Sequence, residues 1–262
     1  MILDILVAFL LQVAFTVGAI FLFGFLIALC NRKFYANFGN YNRIVCYVTG
    51  AIGTPIHECS HAFFCLIFGH KIVEIKLFQI NSADGTLGYV NHSYNKKNIY
   101  QRIGNFFIGV APIIVISAVL YLLVWLLMPE FAAEINGSFK ISDFVSNMGS
   151  VFTDLLGVLQ SFFLCALSWQ WWVFIVVGIF LALHMTLSKA DIKGALSGLI
   201  FLLIAVLFVD IILELISHNL LITFTQGVMS VASYLLCILV LALIISVIAL
   251  VVSFMFKAVK RR

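Results

Sequence analysis

The sequence predicts an all-α polytopic membrane protein with about six transmembrane helices and a small membrane-associated β-hairpin or sheet. Three observations support this fold class. Hydrophobic residues make up 64% of the chain and charged residues only 10%, whereas soluble domains have about half and about a quarter. The apolar residues form several runs long enough to cross a bilayer, which takes about 20 helical residues. One region, after the second run, alternates like β-strands instead.

We expect a single integral membrane domain over residues 1–262. The first run lacks a basic N-terminal region and is too long for a signal peptide, so it is expected to be a retained helix. Each later element follows from an apolar run or from the polar stretch between two runs. In chain order the predicted elements are TM1 at 1–30, TM2 at 43–69, a β-hairpin region at 70–98, TM3 at 103–128, an amphipathic connector at 129–168, TM4 at 169–187, TM5 at 194–216 and TM6 at 228–256.

Local signals support these elements. Gly50, Gly53 and Pro55 weaken TM2 near its middle, which predicts a break or a wide opening there. Alternation after residue 70, followed by the turn pair Asp84-Gly85, predicts the hairpin. Its free edge could pair with an extended peptide. The connector has the apolar spacing of a helix at the interface, and tryptophans at the start of TM4 mark a membrane boundary.

A five-residue motif, His57-Glu58-Cys59-Ser60-His61, lies inside TM2 and spells HExxH. On a helix the two histidines share one face, so both can bind one zinc ion, while Glu58 reaches the water that the zinc activates. Histidine or carboxylate side chains at three of five positions in an apolar span need a compensating partner, most simply a metal ion. In the expected peptide hydrolysis, zinc lowers the pKa of its bound water. Glu58 accepts the proton of that water and then delivers it to the leaving amine.

A catalytic zinc needs a third protein ligand. The predicted ligand is Asp191, in the polar break before TM5, and His184, seven residues earlier, is the alternative. If it binds no metal, Asp191 is expected to be an acidic residue at a helix N-terminus. If it binds no metal, His184 is expected to be a buried histidine in an interhelical hydrogen bond. We expect one zinc ion per chain. The six cysteines contain no CxxC pair, which argues against disulfides and against a thiolate zinc site.

Basic residues predict the orientation. With six spans, cytoplasmic termini place eleven of the fifteen lysines and arginines inside, in agreement with the positive-inside rule. The exceptions are Arg32, Lys33, Arg43 and Lys140. The expected location is therefore multi-pass, in the cell membrane, with both termini cytoplasmic. The net charge of +4 is small, so the expected partners are the lipid bilayer and a membrane-protein substrate, not nucleic acid.

With HExxH in a span, a hairpin after it, Gly109-Val110-Ala111-Pro112 and an Asp-containing break before a later span, residues 44–200 resemble the site-2 protease family of intramembrane zinc metalloproteases. The resemblance implies a zinc held by His57, His61 and Asp191, a catalytic Glu58, and cleavage of membrane-embedded protein segments. Two departures stand out. Ser60 replaces a usual glycine, and Ser188-Lys189-Ala190-Asp191 replaces an Asn-Pro-x-Asp-Gly motif.

Two other functions remain open. The first is a transporter or scaffold that keeps a polar or metal-binding cluster without hydrolysis, although Glu58 between the histidines favours catalysis. The second is a membrane zinc protease that acts on lipidated or soluble peptides, which would take a glutamate ligand from a later helix. Glu214 is the only late glutamate.

Overall fold

The computed structural model describes residues 1–82, 85–138 and 148–260, and most of them are helical. A short π-helix, Ala14–Gly18, joins the first two helices into one long rod. The elements are α1 Ile2–Val13, α2 Ala19–Asn37, α3 Asn42–Ile67, β1 Lys71–Lys76, β2 Tyr89–Ser93, α4 Ile99–Leu127, α5 Pro129–Ser138, α6 Met148–Leu164, α7 Trp169–Ala182, α8 Lys189–Ile216 and α9 His218–Lys260.

Four of the described helices are long and apolar enough to cross a membrane. They are the α1–α2 rod, α4, α8 and α9. The pair α6 and α7 passes the same test together but bends by 111° between Leu167 and Trp169, which allows up to five spans. In the residues that the structure describes, the chain is thus a mostly helical membrane protein with a small two-stranded sheet. Helix α3, the predicted TM2, is not among these spans, since its HExxH residues and neighbouring polar residues lower its hydropathy.

The predicted break in TM2 is wrong, because α3 is one continuous helix that contains Pro55. The glycines before the motif provide space for a neighbouring helix end. A Cβ at Gly53 would overlap the His184 ring and lie 2.6 Å from the Phe180 carbonyl oxygen. Gly53 therefore lets the end of α7 approach α3 closely at the level of the motif.

The predicted hairpin is confirmed. Strands β1 and β2 pair in antiparallel fashion, with Lys71 opposite Ser93 and Lys76 opposite Tyr89. The register shifts between Ile72 and Glu74, which is a β-bulge. The predicted turn pair begins with Asp84, which lies outside the described residues. The hairpin follows directly on the HExxH helix and so lies next to the motif.

Helix α4 forms the centre of the molecule. Its residues Ile113, Ile116, Leu120 and Val124 are at most 1% exposed, and their spacing of three or four residues marks one continuous buried stripe. Helices α3, α7, α8 and α9 all contact α4. The contact with α8 is close because small residues face each other there, and it brings the first turn of α8 beside the end of α3.

In the predicted connector, residues 139–147 lie outside the described residues, and its apolar positions Phe144 and Val145 fall there. The described part forms α5 and α6. Val158 and Phe162 on α6 are buried in the main core, and the Phe162 ring packs 5.6 Å from the Phe131 ring on α5. Helix α6 therefore contributes side chains to the core.

Candidate active site

Three predicted site residues come together between α3 and α8. His57 and His61 lie one turn apart on α3, and their Nε2 atoms are 3.2 Å apart. Asp191, in the first turn of α8, places Oδ1 3.4 Å from His61 Nε2. One ligand atom from each residue lies within 4.8 Å of the other two. The structure thus brings together two imidazoles and a carboxylate that are more than 120 positions apart in the sequence.

Backbone carbonyls set the tautomers of both histidines. His57 Nδ1 lies 2.8 Å from the His184 carbonyl oxygen, and His61 Nδ1 lies 2.7 Å from the Ile108 carbonyl oxygen. A carbonyl can only accept, so each Nδ1 carries the proton and donates it. In the neutral rings both Nε2 atoms then carry lone pairs, and these point toward each other. An imidazole that donates from one ring nitrogen to a carbonyl and keeps a lone pair on the other is typical of metal-binding histidines.

The carboxylate of Asp191 is held by a capping box at the start of α8. The backbone N–H of Ser188 donates to Asp191 Oδ2 at 2.7 Å, and the N–H of Asp191 donates to Ser188 Oγ at 3.1 Å. This reciprocal pair satisfies two helix-end donors. It occupies one carboxylate oxygen and leaves Oδ1 directed at His61.

The donor set fits a zinc ion. Tetrahedral zinc with metal–ligand bonds near 2.0–2.1 Å separates two ligand atoms by about 3.3 Å, close to the 3.2 and 3.4 Å observed. Two imidazole lone pairs and a carboxylate oxygen repel one another at this distance unless a cation or protons lie between them. The geometry therefore meets the requirement for three protein ligands and an open fourth position.

The alternative ligands lie elsewhere. The His184 ring places Nδ1 3.1 Å from the Phe180 carbonyl oxygen, and the backbone carbonyl of His184 contacts His57. Glu214 lies in another group of side chains with Asp4 and His218, and its Oε2 is 2.8 Å from His218 Nδ1. Neither residue joins the cluster of His57, His61 and Asp191.

Glu58 lines the same cavity as the two histidines. The cavity has a volume of about 500 Å³, within the range typical of ligand sites. Glu58 is buried, and the backbone of Gly88 packs on its side chain, since a Cβ at Gly88 would lie 2.7 Å from Glu58 Cγ. One wall is the strand β2 and the residues before it. The lining also includes Asn105, Ile108 and Gly109 of α4 and residues 188–191 and 194 of the α8 start.

Sequence reasoning missed two polar side chains in this cavity. Asn105 is buried on α4 and lines it; an amide within an apolar span was the available signal. His92 on β2 also lines it. Burial lowers the pKa of His92 from its usual 6.5, and the neighbouring His70 and His61 lower it further. This shift favours the neutral form of His92, which can both accept and donate a hydrogen bond.

Comparison with known families agrees with this site. Residues 50–163 match the model of a protein family described as "Putative zincin peptidase". The match covers the motif, the hairpin and α4, and it ends before Asp191. No curated protein and no solved structure gives a significant match to the chain. The match supports a zinc metallopeptidase in general, and a zincin implies zinc as the metal.

Proposed function

We propose that this protein is an intramembrane zinc metalloprotease that hydrolyses peptide bonds in or near transmembrane segments of other proteins. One observation carries the proposal. The three lone-pair donors and Glu58 open onto one cavity, and two of its walls are α4 and α8, which are long and apolar enough to cross a membrane. A peptidase site between such helices is suited to substrates that lie in the bilayer.

His57, His61 and Asp191 are the residues that would hold zinc. A bound zinc ion supplies a Lewis acid that polarises the scissile carbonyl and lowers the pKa of a water. Glu58 receives the proton of the attacking water and transfers it to the leaving amine. The carbonyls of His184 and Ile108 keep the two imidazoles in the tautomer that leaves Nε2 free. The capping box at Ser188 holds the carboxylate in place.

The wall formed by residues 86–92 supports a way of binding substrate. A peptide bond inside a helix is shielded by the helix, so a membrane segment must be extended before it is cleaved. Backbone groups of a strand edge can pair with an extended peptide, and β2 lies along the cavity. We infer that the substrate lies antiparallel or parallel to β2, with the Asn105 amide available to donate to a substrate carbonyl.

The membrane arrangement is part of the same proposal. We infer six spans, with α3 as the second, and both termini in the cytoplasm. Large apolar side chains of α3, among them Ile44, Val48 and Phe63, are exposed, as expected of a helix that faces lipid. The basic residues support this orientation. Membrane-impermeant labelling of single cysteines tests it. A cysteine at Lys97, after the hairpin, is expected to be protected in intact cells, whereas labelling from outside would reverse the orientation.

The Glu58→Gln variant tests the catalytic role. Loss of the carboxylate removes the proton acceptor but no zinc ligand, so cleavage of a membrane-segment substrate should fall by at least about 100-fold while zinc content is unchanged. Glu130→Gln, on an exposed side chain of α5, is the matched control and should keep full activity. Zinc-loaded wild-type protein that cleaves no peptide would instead support a metal-binding scaffold.

Zinc retention separates the two ligand hypotheses. Asp191→Ala removes a donor of the cluster, so the purified protein should lose zinc on dialysis. His184→Ala keeps the backbone carbonyl that orients His57 and should retain it. Loss of zinc from the His184 variant and retention in the Asp191 variant would reverse the assignment.

A further inference from the structure

A second group of metal-ligating side chains lies next to the catalytic cavity and shares His92 with its lining. Cys65 at the end of α3, His70 in the turn after it and His92 on β2 each offer one ligand atom, and these atoms lie within 4.8 Å of one another. Cys65 is 0% exposed and His70 is 4% exposed. The group joins three elements that the catalytic residues do not connect: the helix end, the turn and the second strand.

The end of α3 fixes Cys65 and His70 relative to each other. Gly69 has a φ of +67°, the left-handed conformation in which glycine commonly ends a helix. The N–H of His70 donates to the Cys65 carbonyl at 2.8 Å, and the N–H of Gly69 donates to the Leu66 carbonyl at 3.2 Å. This pair of bonds defines a Schellman motif, whose outer two side chains usually make a hydrophobic contact. Here those positions hold a thiol and an imidazole.

The hairpin register adds the third residue. Ile72 pairs with His92 and Lys71 pairs with Ser93, so position 70 lies opposite Tyr94. The rings of His70 and Tyr94 are stacked with centroids 5.0 Å apart. Alternate residues of a strand share a face, which places His92 on the side of the sheet that carries His70.

The hydrogen bonds around His70 resemble those of the catalytic histidines. His70 Nε2 lies 2.8 Å from the Gln101 carbonyl oxygen, so Nε2 carries the proton and Nδ1 carries a lone pair. That Nδ1 lies 3.0 Å from His92 Nδ1. Burial lowers the pKa of both imidazoles, which favours the neutral form that binds metals.

We propose that Cys65, His70 and His92 bind a second zinc ion, which fastens the hairpin to the end of the HExxH helix. One thiolate and two imidazoles are a donor set that suits zinc. Binding releases the thiol proton of Cys65 to solvent. The proton that His92 Nδ1 shares with His70 moves to His92 Nε2, and the two Nδ1 atoms separate by about 0.3 Å to reach zinc spacing. Water supplies the fourth ligand from the cavity that His92 lines.

The need for such a fastening follows from the hairpin itself. An isolated two-stranded hairpin is marginally stable in water, and five of the six β1 residues are exposed. Yet β2 forms a wall of the catalytic cavity, and the backbone of Gly88, just before it, packs on Glu58. A metal bound at one end of the hairpin would hold that wall at a fixed distance from the site.

Cobalt substitution tests the proposal directly. Cobalt(II) bound by a thiolate absorbs in the near ultraviolet through sulfur-to-metal charge transfer, and the catalytic donors include no sulfur. Wild-type protein with cobalt should show this band, and zinc-loaded protein should contain two zinc ions per chain. Cys65→Ser should lose the band and one zinc. Cys46→Ser, on the same helix and outside both clusters, should keep both.

The double variant His57→Ala/His61→Ala separates this site from the catalytic one. It should keep the charge-transfer band and the zinc ion of the second site, because the substitutions leave Cys65, His70 and His92 in place. A wild-type protein with one zinc ion and no sulfur-to-cobalt band would overturn the proposal. The contact between His70 and His92 would then be only a hydrogen bond. Because this measurement uses wild-type protein, it is decisive even if Cys65→Ser fails to fold.

Discussion

The contact between α4 and α8 at Gly109 should control the position of Asp191. A Cβ at Gly109 would lie 2.5 Å from the Asp191 carbonyl oxygen, 2.6 Å from the Ala195 backbone nitrogen and 2.8 Å from Ala195 Cβ. Two of these neighbours are backbone atoms of α8, which cannot turn aside as a flexible side chain can. Gly109→Ala must therefore move the first turn of α8 away from α4.

The size of the movement follows from the distances. Ordinary van der Waals contact begins near 3.4 Å, so relief of the 2.5 and 2.6 Å contacts requires a shift of about 0.8–0.9 Å. Asp191 belongs to the displaced turn, and its Oδ1 is 3.4 Å from His61 Nε2. Overpacking of this kind costs about 1–3 kcal/mol of stability. A displacement of about 1 Å in a catalytic group can lower activity by about 100-fold.

The assay compares zinc affinity, cleavage rate and melting temperature in wild type and Gly109→Ala. We expect a folded protein with weaker zinc binding and a cleavage rate about 100-fold lower. Gly227→Ala is the matched control, since a Cβ at Gly227 on α9 meets no atom within 4 Å. The Gly227→Ala protein should be more stable than wild type by about 0.5–1 kcal/mol, because alanine favours a helix more than glycine does. Its zinc affinity should be normal.

Unchanged zinc affinity and cleavage in folded Gly109→Ala would contradict a displacement of the zinc ligand. Such a result would mean that α8 absorbs the methyl group without movement of Asp191, or that Asp191 does not contribute to the site. Zinc loss in Asp191→Ala distinguishes the two, because only the first explanation predicts it.

Two further substitutions test other contacts. Gly88→Ala should push on the Glu58 side chain, which would be 2.7 Å from the new Cβ, so cleavage should slow by about 10-fold or more while zinc content stays normal; a loss of zinc would contradict this separation of roles. Asn31→Ala should lower the unfolding free energy by about 1–3 kcal/mol, because the buried Asn31 amide donates to the Ala182 carbonyl at 2.8 Å. The exposed Asn219→Ala is its control in thermal unfolding, and equal melting temperatures would count against the bond.

The helices and the hairpin were predictable because their signals are local. Apolar runs identify helices without knowledge of their neighbours, and alternation with turn residues identifies the hairpin. The behaviour of Pro55 was not predictable in this way. Pro55 removes one hydrogen bond from α3, but packing of α4 and α7 against the helix keeps it continuous. Tertiary contacts thus outweigh a local preference.

Parts of the site depend on contacts that spacing does not encode. The HExxH pair is a local pattern, since four residues make one helical turn. The roles of Ile108 and His184 come from their backbone carbonyls, and every residue type has a carbonyl. No residue pattern therefore marks them. The group of Cys65, His70 and His92 depends on a helix end and a strand register. A search of the sequence for CxxC pairs therefore does not find it.

Asp191 shows why the sequence could not distinguish a zinc ligand from an acidic residue that caps a helix N-terminus. A helix N-terminal acid uses its carboxylate to accept a backbone N–H, and Asp191 does this through Oδ2. A metal ligand needs one free carboxylate oxygen, and Oδ1 is directed at His61. The two roles use different atoms of one side chain, so they are compatible. The capping box makes the ligand role more favourable, because it fixes the carboxylate before any metal binds and so lowers the entropy lost on binding.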